Sequence, residues 1–427
     1  MHPEVIMKEG LNNEKIQLTN RSLVLDMIIR NNAISRKELV EMTGLGKPAI
    51  TNIVNELLEL GIVRECEKPK QEGQRRTKGL TLKSSSIKIL SARWIRSCFK
   101  AAVYTMAGEV IDMEECTVST GEDVWKTADR IEKTINLLLE RHDRDEILGM
   151  CIGVPGPYIR DGETNKAVVS GYEKLQEIDI QKFFESRYDF PVITEHDAHL
   201  SAFGEWNSLK PEKRRQCRCL LALQSVGMGI GAGIILNGKI VEGAFGISGE
   251  IGQIGIYFNG PKNTYGEIGT LEHYASSVSV KRYIRERMCE FPESPLTEES
   301  TYEEIVNAYY ENDRLAVWAF DLVAWRLAYG LVSTIFVINP EVIVIGPDYP
   351  VSERFIGKVR SSIAEMINRE IGEKITIRYS AFQRDATLYG GFCFALEHFI
   401  NEKTLFERVK QLTIASEMKK CSIKDHI

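Results

Sequence analysis

At 427 residues with 43% hydrophobic content, the chain is long enough for two to three domains and a large core. No continuous apolar run approaches the roughly 20 residues of a membrane helix, and the polar N-terminus has no apolar segment for a signal peptide. Nine cysteines, an odd number scattered over a long chain, make no disulfide framework and point to a cytoplasmic protein with no membrane partner. The net charge of −6 is uneven: residues 1–85 hold 14 Lys+Arg against 11 Asp+Glu, a net of +3 that leaves −9 for the rest. A mildly basic end on an acidic body marks the N-terminal segment as the part that meets a polyanion.

Residues 1–85 read as three helical blocks and a hairpin. From Thr19 onward, Val24, Leu25, Ile28 and Ile29 repeat as one apolar helix face. Ser35, with Glu38 three residues on, is a capping box that opens a second helix, stopped near Thr43-Gly44. A third starts around Gly46-Lys47-Pro48 and ends before Gly61. It turns Ile50, Ile53, Val54, Leu57 and Leu58 inward and Lys47, Thr51, Asn52 and Asn55 outward. Two short helices across a glycine turn make a helix-turn-helix, whose second helix offers polar side chains to base edges and phosphates. The β-prone IVRECE, the cations Lys68, Lys70, Arg75, Arg76 and Lys78, and the apolar GLTL then read as a wing with a basic tip. Candidate DNA contacts are therefore Lys47, Thr51, Asn52, Asn55, Arg75, Arg76 and Lys78. The competing reading is a three-helix interaction module with a solvated charge run. Cap, turn, polar face and wing together favour DNA.

From Ile87 the alternation changes to that of strands, with a later turn at Ala107-Gly108, and a helix is predicted over Val124–Arg141. ILGMCIGVPGP is a buried strand that breaks at Gly153 and a rigid Pro155-Gly156-Pro157 turn. PVITEHDAHLSAFGEW delivers Glu195, His196 and Asp197 from a strand to a helix start, where an acidic residue is a general base or an ordinary N-cap. The stretch 220–256 passes through Gly227, Gly229, Gly231 and Gly233, turns at Asn237-Gly238, and closes in GISGE with Glu250. Such glycines suit either backbone approach to an anion or a tightly turned β-region with no ligand. Arg314–Ile338 is a long apolar helix running between a lobe core and an oligomer contact, with Trp318 and Trp325 on one packing face. The tail from Leu405 reads as one more amphipathic helix.

Behind the helix-turn-helix, the ordered set IGVPGP, EHDAHLSAFGE, GMGIGAGII-NG, GISGEIGQIGI, NPEVIVIG and LYGGFCFALEHF resembles the ROK family, which takes in repressors of sugar operons and sugar kinases. The resemblance spans nearly the whole chain. It implies an α/β protein: an N-terminal winged helix plus a two-lobed actin-like ATPase (sugar kinase-like) body, with a sugar in the interlobe cleft. The expected division is 1–85 for the DNA-binding domain, 86–200 for the first lobe, completed by about 390–427, and 201–389 for the second. In the family pattern Asp197 matches the aspartate that takes the proton from the sugar hydroxyl in the kinases. Glu250 and Glu272 match sugar-binding glutamates, and His196 stands where the family usually has asparagine. Carboxylates accept hydrogen bonds from vicinal hydroxyls. The candidate sugar site is therefore Gly153, Gly156, His196, Asp197, Glu250, Gln253 and Glu272, the two glycines allowing close backbone approach.

Three departures from the pattern shape the expected function. The kinases begin their body with an Asp-x-Gly-Gly-Thr hairpin that handles metal and phosphate; here the matching residues are Arg93-Trp94-Ile95-Arg96-Ser97. A cation cannot hold Mg²⁺; the alternative is that Arg93 and Arg96 themselves hold a nucleotide phosphate. The family's zinc pattern, a GEIGH histidine and a Cys-rich loop, is reduced to Gln253 and Glu272, and His196 and His199 have no third ligand beside them. Pro347 follows NPEVIVIG where the kinases tend to have a second glycine. The expected protein is a transcriptional regulator, a repressor of carbohydrate genes, that binds operator DNA as a homodimer or homotetramer. Its effector is a sugar or sugar phosphate, and it has no catalytic residues and uses no zinc, ATP or magnesium. The rival readings are a sugar kinase with Asp197 as base and a ligand-independent DNA-binding protein with a relic cleft.

Overall fold

The computed structural model describes residues 13–31, 33–67, 78–83, 87–160, 165–169, 171–226, 229–263, 266–382, 386–400 and 406. Lys68, Lys70, Arg75, Arg76, Gly227 and the tail from Leu405, Phe406 excepted, lie outside the described residues. The N-terminal unit is α1 (Asn13–Arg30), α2 (Arg36–Thr43) and α3 (Lys47–Glu59), followed by the antiparallel pair β1 (Val63–Glu67) and β2 (Lys78–Leu82). Helix α1 starts ahead of Thr19 because Lys15 and Gln17 are good helix formers and nothing before Thr19 breaks the turn. Ser35 and Glu38 cap α2 reciprocally, and Gly44 ends it at φ 71°. Val24, Leu25, Ile28, Leu39, Ile50, Val54 and Leu57 form the core between the three helices.

The first lobe comprises β3 (Lys88–Trp94), β4 (Cys98–Thr105), β5 (Val110–Thr117), α4 (Val124–Arg141), β6 (Ile147–Val154), the small hairpin β7 (Tyr158–Arg160) and β8 (Asn165–Ala167), α5 (Ile180–Glu185) and β9 (Val192–His196). Its sheet runs β5-β4-β3-β6-β9, antiparallel through β3 and parallel from there. After α6 (Asp197–Asn207) and α7 (Pro211–Gln216), the second lobe repeats the plan with β10 (Cys219–Val226), β11 (Gly229–Leu236) and β12 (Lys239–Ile240). Four helices follow: α8 (Leu271–Ala275), α9 (Ser277–Arg287), α10 (Tyr302–Tyr310) and α11 (Arg314–Ile338). Then come β13 (Val342–Ile345), α12 (Glu353–Met366), α13 (Arg369–Gly372) and β14 (Thr376–Tyr379). The order β12-β11-β10-β13-β14 matches that of the first sheet strand for strand. The β11–β12 hairpin turns at Asn237 (φ 51°) and Gly238 (φ 80°), as the Asn-Gly pair predicts.

The last helix, α14 (Ala386–Ile400), completes an exchange. Helix α6 leaves the first sheet and packs on β10 and β11, whereas α14 leaves the second sheet and packs on β3 and β6. They cross where neither tolerates a side chain: a Cβ on Gly390 would stand 1.7 Å from the Leu200 carbonyl oxygen, and one on Gly204 would stand 2.4 Å from that of Ala386. The boundary expected at residue 200 thus falls inside a helix. At its other end α14 joins the winged helix, because Ser22 Oγ donates to the Ile400 carbonyl at 2.8 Å and Phe399 shares a core with Val24 and Leu25.

Two expectations are corrected by α11. Its 25 residues have the length and apolarity of a membrane span, contrary to the reading that no stretch comes near one. That apolarity serves the second lobe's core instead, since Leu315, Phe320, Val323, Leu327 and Leu331 are buried in it. Trp318 and Trp325 do not share a buried face: Trp318 packs edge-on to Tyr283, while Trp325 is 42% exposed beside Tyr329.

Candidate functional site

Two sites emerge, one on the winged helix and one between the lobes. On α3 the polar set is presented as the pattern requires, with Lys47, Thr51, Asn52 and Asn55 all exposed and Ile50, Val54 and Leu57 beneath them. Thr51 Oγ1 donates to the Lys47 carbonyl at 2.9 Å, so its hydroxyl is held along the helix. Lys78 is paired: its ammonium lies 2.6 Å from Glu65, which Arg36 also contacts at 3.0 Å. An approaching phosphate competes with Glu65 for this cation. Arg75 and Arg76 belong to the wing tip, outside the described residues.

The cleft site is built at the β9–α6 junction. His196 is the N-cap, with extended backbone and no capping side-chain bond, and Asp197 is the first residue of the helix rather than its cap. Both are buried. Arg93, at the end of β3, reaches Asp197 Oδ2 with Nη2 at 3.0 Å and Nε at 3.4 Å. His196 Nε2 stands 3.5 Å from Asp197 Oδ1 and 3.8 Å from Glu250 Oε1. Gly156 closes the cluster: a Cβ there would lie 2.2 Å from His196 Nε2 and 2.7 Å from Glu250 Oε1. A side chain there would have to push both of these groups aside.

Burial sets the charges. It pushes the His196 imidazole down to about 4 despite the adjacent Asp197 carboxylate. It pushes Glu250 up to about 8, helped by the negative charges of Glu272 and Asp197. At neutral pH the cluster therefore holds a neutral imidazole, a protonated Glu250 able to donate, and an Asp197 paired with Arg93. His196 Nδ1, Glu250 Oε1 and the Arg96 Nε have no hydrogen-bond partner although they are buried. Unsatisfied polar atoms of this kind are costly unless something fills the space between them.

The other predicted residues divide. Glu272, on α8 behind the Thr270 N-cap, accepts from the Ile230 N–H at 3.1 Å, and burial raises its carboxyl above the usual range. Gln253 follows Glu250 on a single 3₁₀ turn, and its carbonyl accepts from Asn263 Nδ2 at 3.2 Å. Gly153 stands between Arg93 and Glu195 in the sheet. It lies within β6, where a Cβ would meet Thr387 Cγ2 at 2.9 Å and Leu200 Cδ1 at 3.2 Å, so its smallness serves packing against α14 and α6.

Zinc does not fit. Gln253 and Asn263 are amides bonded to each other, with Glu267 accepting from the Asn263 amide, so amides and a carboxylate stand where the zinc pattern needs an imidazole and thiolates. Among the described residues no cluster of three or more His, Cys, Asp or Glu side chains has the arrangement of a metal site. The magnesium-handling carboxylate of the kinase hairpin does not fit either, since its place is taken by Arg93.

One group escaped the sequence reading. Glu195 accepts from the His196 N–H at 2.8 Å and from Arg160 Nη2 at 2.9 Å, and its Oε1 lies 3.0 Å from His199 Nδ1. His199 Nε2 lies 2.9 Å from the Ser248 carbonyl, and Arg160 Nη1 donates to Glu242 at 3.0 Å. Glu195 and His199 face each other across the strand-to-helix junction, so neither they nor Arg160 had a readable signal.

Comparison with known proteins agrees with this architecture. A family model described as the ROK family matches residues 96–398, and one described as the MarR family matches residues 17–76. The chain is 29% identical over 381 residues to the xylose repressor of Caldicellulosiruptor bescii, covering 84% of this chain and 92% of the relative. It is 26% identical over 305 residues to the glucokinase of Halalkalibacterium halodurans, covering 68% and 90%. Its fold matches a solved ROK family transcriptional regulator, a homologue of the Escherichia coli MLC protein, with a TM-score of 0.77 at 21% identity over 93% of this chain and 100% of the other. With a winged helix of MarR type in front, the chain belongs to the ROK family.

Proposed function

We propose that this protein is a sugar-responsive transcriptional repressor without kinase activity, acting on carbohydrate genes in the cytoplasm. The observation that carries this reading is the Arg93–Asp197 ion pair. In a kinase the aspartate must be free to take a hydroxyl proton. Here one of its oxygens receives two N–H groups from a guanidinium. The space lined by Gln224, Gly346, Pro347 and Ser380, beside the strand that bears the adenosine-side motif, measures about 10 Å³, room for about one water. What the cleft retains suits hydroxyl recognition: protonated Glu250 and neutral His196 offer one donor each, and with Asp197 they offer several acceptors beside Gly156.

We place the DNA contact on Lys47, Thr51, Asn52 and Asn55 and, through the wing, on Arg75, Arg76 and Lys78. The domain division follows the helix exchange, with the winged helix to residue 85, the first lobe from 86 to 196 with α14, and the second lobe from 197 to 382. Homodimers or homotetramers are favoured by an exposed stripe on α11, where Trp325, Tyr329 and Phe336 are 42%, 46% and 65% exposed. D-xylose is the first effector to try, because relatives carry that name; sugar phosphates are the second. The deciding experiment titrates a panel of pentoses, hexoses and their phosphates by calorimetry, repeats it with ATP and magnesium in a coupled kinase assay, and measures release from operator DNA. Turnover abolished by Asp197→Asn would overturn the regulator-only reading. Operator binding that no sugar alters would favour a relic cleft.

A further inference from the structure

The loop 242–250 belongs to the second lobe by sequence, since it follows β12, and its far end is tied there by the Ala232 N–H to Gly249 carbonyl bond of 2.8 Å. Its near part is fastened to the first lobe. Arg160 Nη1 donates to Glu242, the Arg160 N–H donates to the Phe245 carbonyl at 3.4 Å, and His199 of α6 bridges Glu195 of β9 to the loop, with Nδ1 3.0 Å from Glu195 Oε1 and Nε2 2.9 Å from the Ser248 carbonyl. Gly246 lies so close to β7 that a Cβ would stand 2.6 Å from the Tyr158 carbonyl oxygen. Glu250, the residue that closes the cleft cluster, sits two residues beyond Ser248.

The His199 contacts determine its protonation. A carbonyl oxygen only accepts, so Nε2 must carry a proton. Glu195 already accepts from the His196 N–H and from the Arg160 guanidinium, which mark it as a carboxylate, so Nδ1 must donate too. The ring is then an imidazolium. Burial opposes that charge in His199, but the Glu195 bond and charge and the Ser248 carbonyl outweigh it and raise its pKa. The same pairing holds Glu195 below the usual carboxylate range against its own burial. The charged and titratable groups facing the ring are Glu195 from β9, Arg160 from β7, His196 edge-on at 4.9 Å, and Glu242 and Glu250 from the loop.

We infer that His199 is a positioning residue: its doubly protonated ring clasps the 242–250 loop to Glu195 of the first lobe, and so holds Glu250 in the cleft until a rise in pH removes a proton. Deprotonation leaves one ring nitrogen as an acceptor facing an acceptor, and the clasp opens. The consequence for a ligand rests on the proposal that the cleft takes a sugar; the clasp itself does not.

The test has two arms that need no ligand. Ring ¹⁵N spectra of the full-length protein at pH 7 should show His199 protonated on both nitrogens, with buried His196 as the internal neutral reference. Amide exchange of residues 242–250, corrected for intrinsic rates, should accelerate by about tenfold or more in His199→Asn, the loss expected of a hydrogen bond to a charged group. Wild type should approach the variant as pH rises toward 9. A singly protonated His199 at pH 7 overturns the clasp. So does faster exchange in His199→Asn that extends equally through β11, since that marks general destabilisation. A third arm titrates D-xylose calorimetrically into both proteins, with affinity expected to fall by about tenfold in the variant. No D-xylose binding to wild type at any pH would count against that effector, while the spectra and exchange decide the clasp independently.

Discussion

Two hairpins face the cleft from opposite lobes, built to one topological plan and put to different uses. In the first lobe β3–β4 turns through Ile95, Arg96 and Ser97, and Arg93 at its end reaches across to Asp197. In the second lobe β10–β11 carries Gly229, Gly231 and Gly233 in a regular antiparallel ladder, Gly233 opposite Ala222 and Gly231 opposite Gln224. Among the described residues the ladder pairs these glycines with β10, and the Ile230 N–H is taken by Glu272; Gly227 and Met228 lie outside those residues. The glycines answer to a helix: a Cβ on Gly233 would stand 2.2 Å from the Ala198 carbonyl oxygen and 2.4 Å from Ala202 Cβ. A glycine-rich strand beside a cleft can thus record how closely a helix crosses it, and where no helix or phosphate makes that demand an arginine is admitted.

The largest effect that would sharpen this contrast is expected from Arg93→Ala. It strands a buried carboxylate, which costs about 3–5 kcal/mol, read as a lower urea midpoint. Arg93→Ala combined with Asp197→Asn should recover much of it, and a single variant that loses under about 1 kcal/mol would break the account of the first hairpin. In the second hairpin, Gly233→Ala should cost about 1–3 kcal/mol in thermal unfolding through overpacking. Gly231→Ala, whose Cβ has its nearest neighbour at 3.6 Å, should stay within about 0.5 kcal/mol. Equal losses would mean that α6 is not the cause.

Separation of the two sites predicts Asn52→Ala to weaken operator binding by about 1–3 kcal/mol with sugar binding intact, and Glu250→Ala to do the reverse. Gel shift and calorimetry on both variants check it, and normal sugar binding by Glu250→Ala would remove Glu250 from the cleft site.

The pH dependence has a definite sign. Glu250, raised from 4.5 to about 8, keeps in the native state a proton that the unfolded chain has lost, so stability falls as pH climbs through that window. His196, lowered from 6.5 to about 4, lacks a proton that the unfolded chain binds, so its contribution rises with pH up to 6.5. The two oppose each other below 6.5. Above it Glu250 acts in the same direction as His199, whose raised pKa makes its stabilisation fade with rising pH. Glu250→Gln should therefore flatten the decline between 6.5 and 8, whose limiting slope is about 1.4 kcal/mol per pH unit per proton. A small effect is likewise expected of Lys78→Ala. Its exposed pairing with Glu65 contributes less than about 1 kcal/mol to stability, while the salt slope of DNA binding should drop by about one.

Local chemistry made much of this readable. The Ser35 capping box, the polar face of α3, the Asn237-Gly238 turn and the strand-to-helix delivery of Asp197 each lie within a few residues, where pattern and structure are linked directly. The Arg93–Asp197 pair spans 104 positions and has no local signal, so Arg93 was visible as a departure but not as a partner. The packing of Gly153 against Thr387 and Leu200 has no local signal, because a strand glycine beside a cleft gives no hint of whether ligand or helix needs the room. His199 reads in the sequence only as an insufficient metal ligand, because its partner Glu195 stands on the strand before α6 and the contact depends on how the chain turns between them.

Helix α14 carries one further consequence. Thr387 in its first turn donates to the Asp197 carbonyl at 3.3 Å, and Ile400 at its last residue accepts from Ser22 of α1. Fifteen helical residues make a stiff rod about 22 Å long. Were it to pivot at the glycine crossing, the ten residues from Gly390 to Ile400 would form an arm about 15 Å long, and a tilt of about 10° would sweep the far end by roughly 2.6 Å, approaching the advance of one base pair along DNA. A change in the angle between the lobes would therefore reach the winged helix through a single rigid element, since α14 bonds Asp197 near one end and Ser22 at the other.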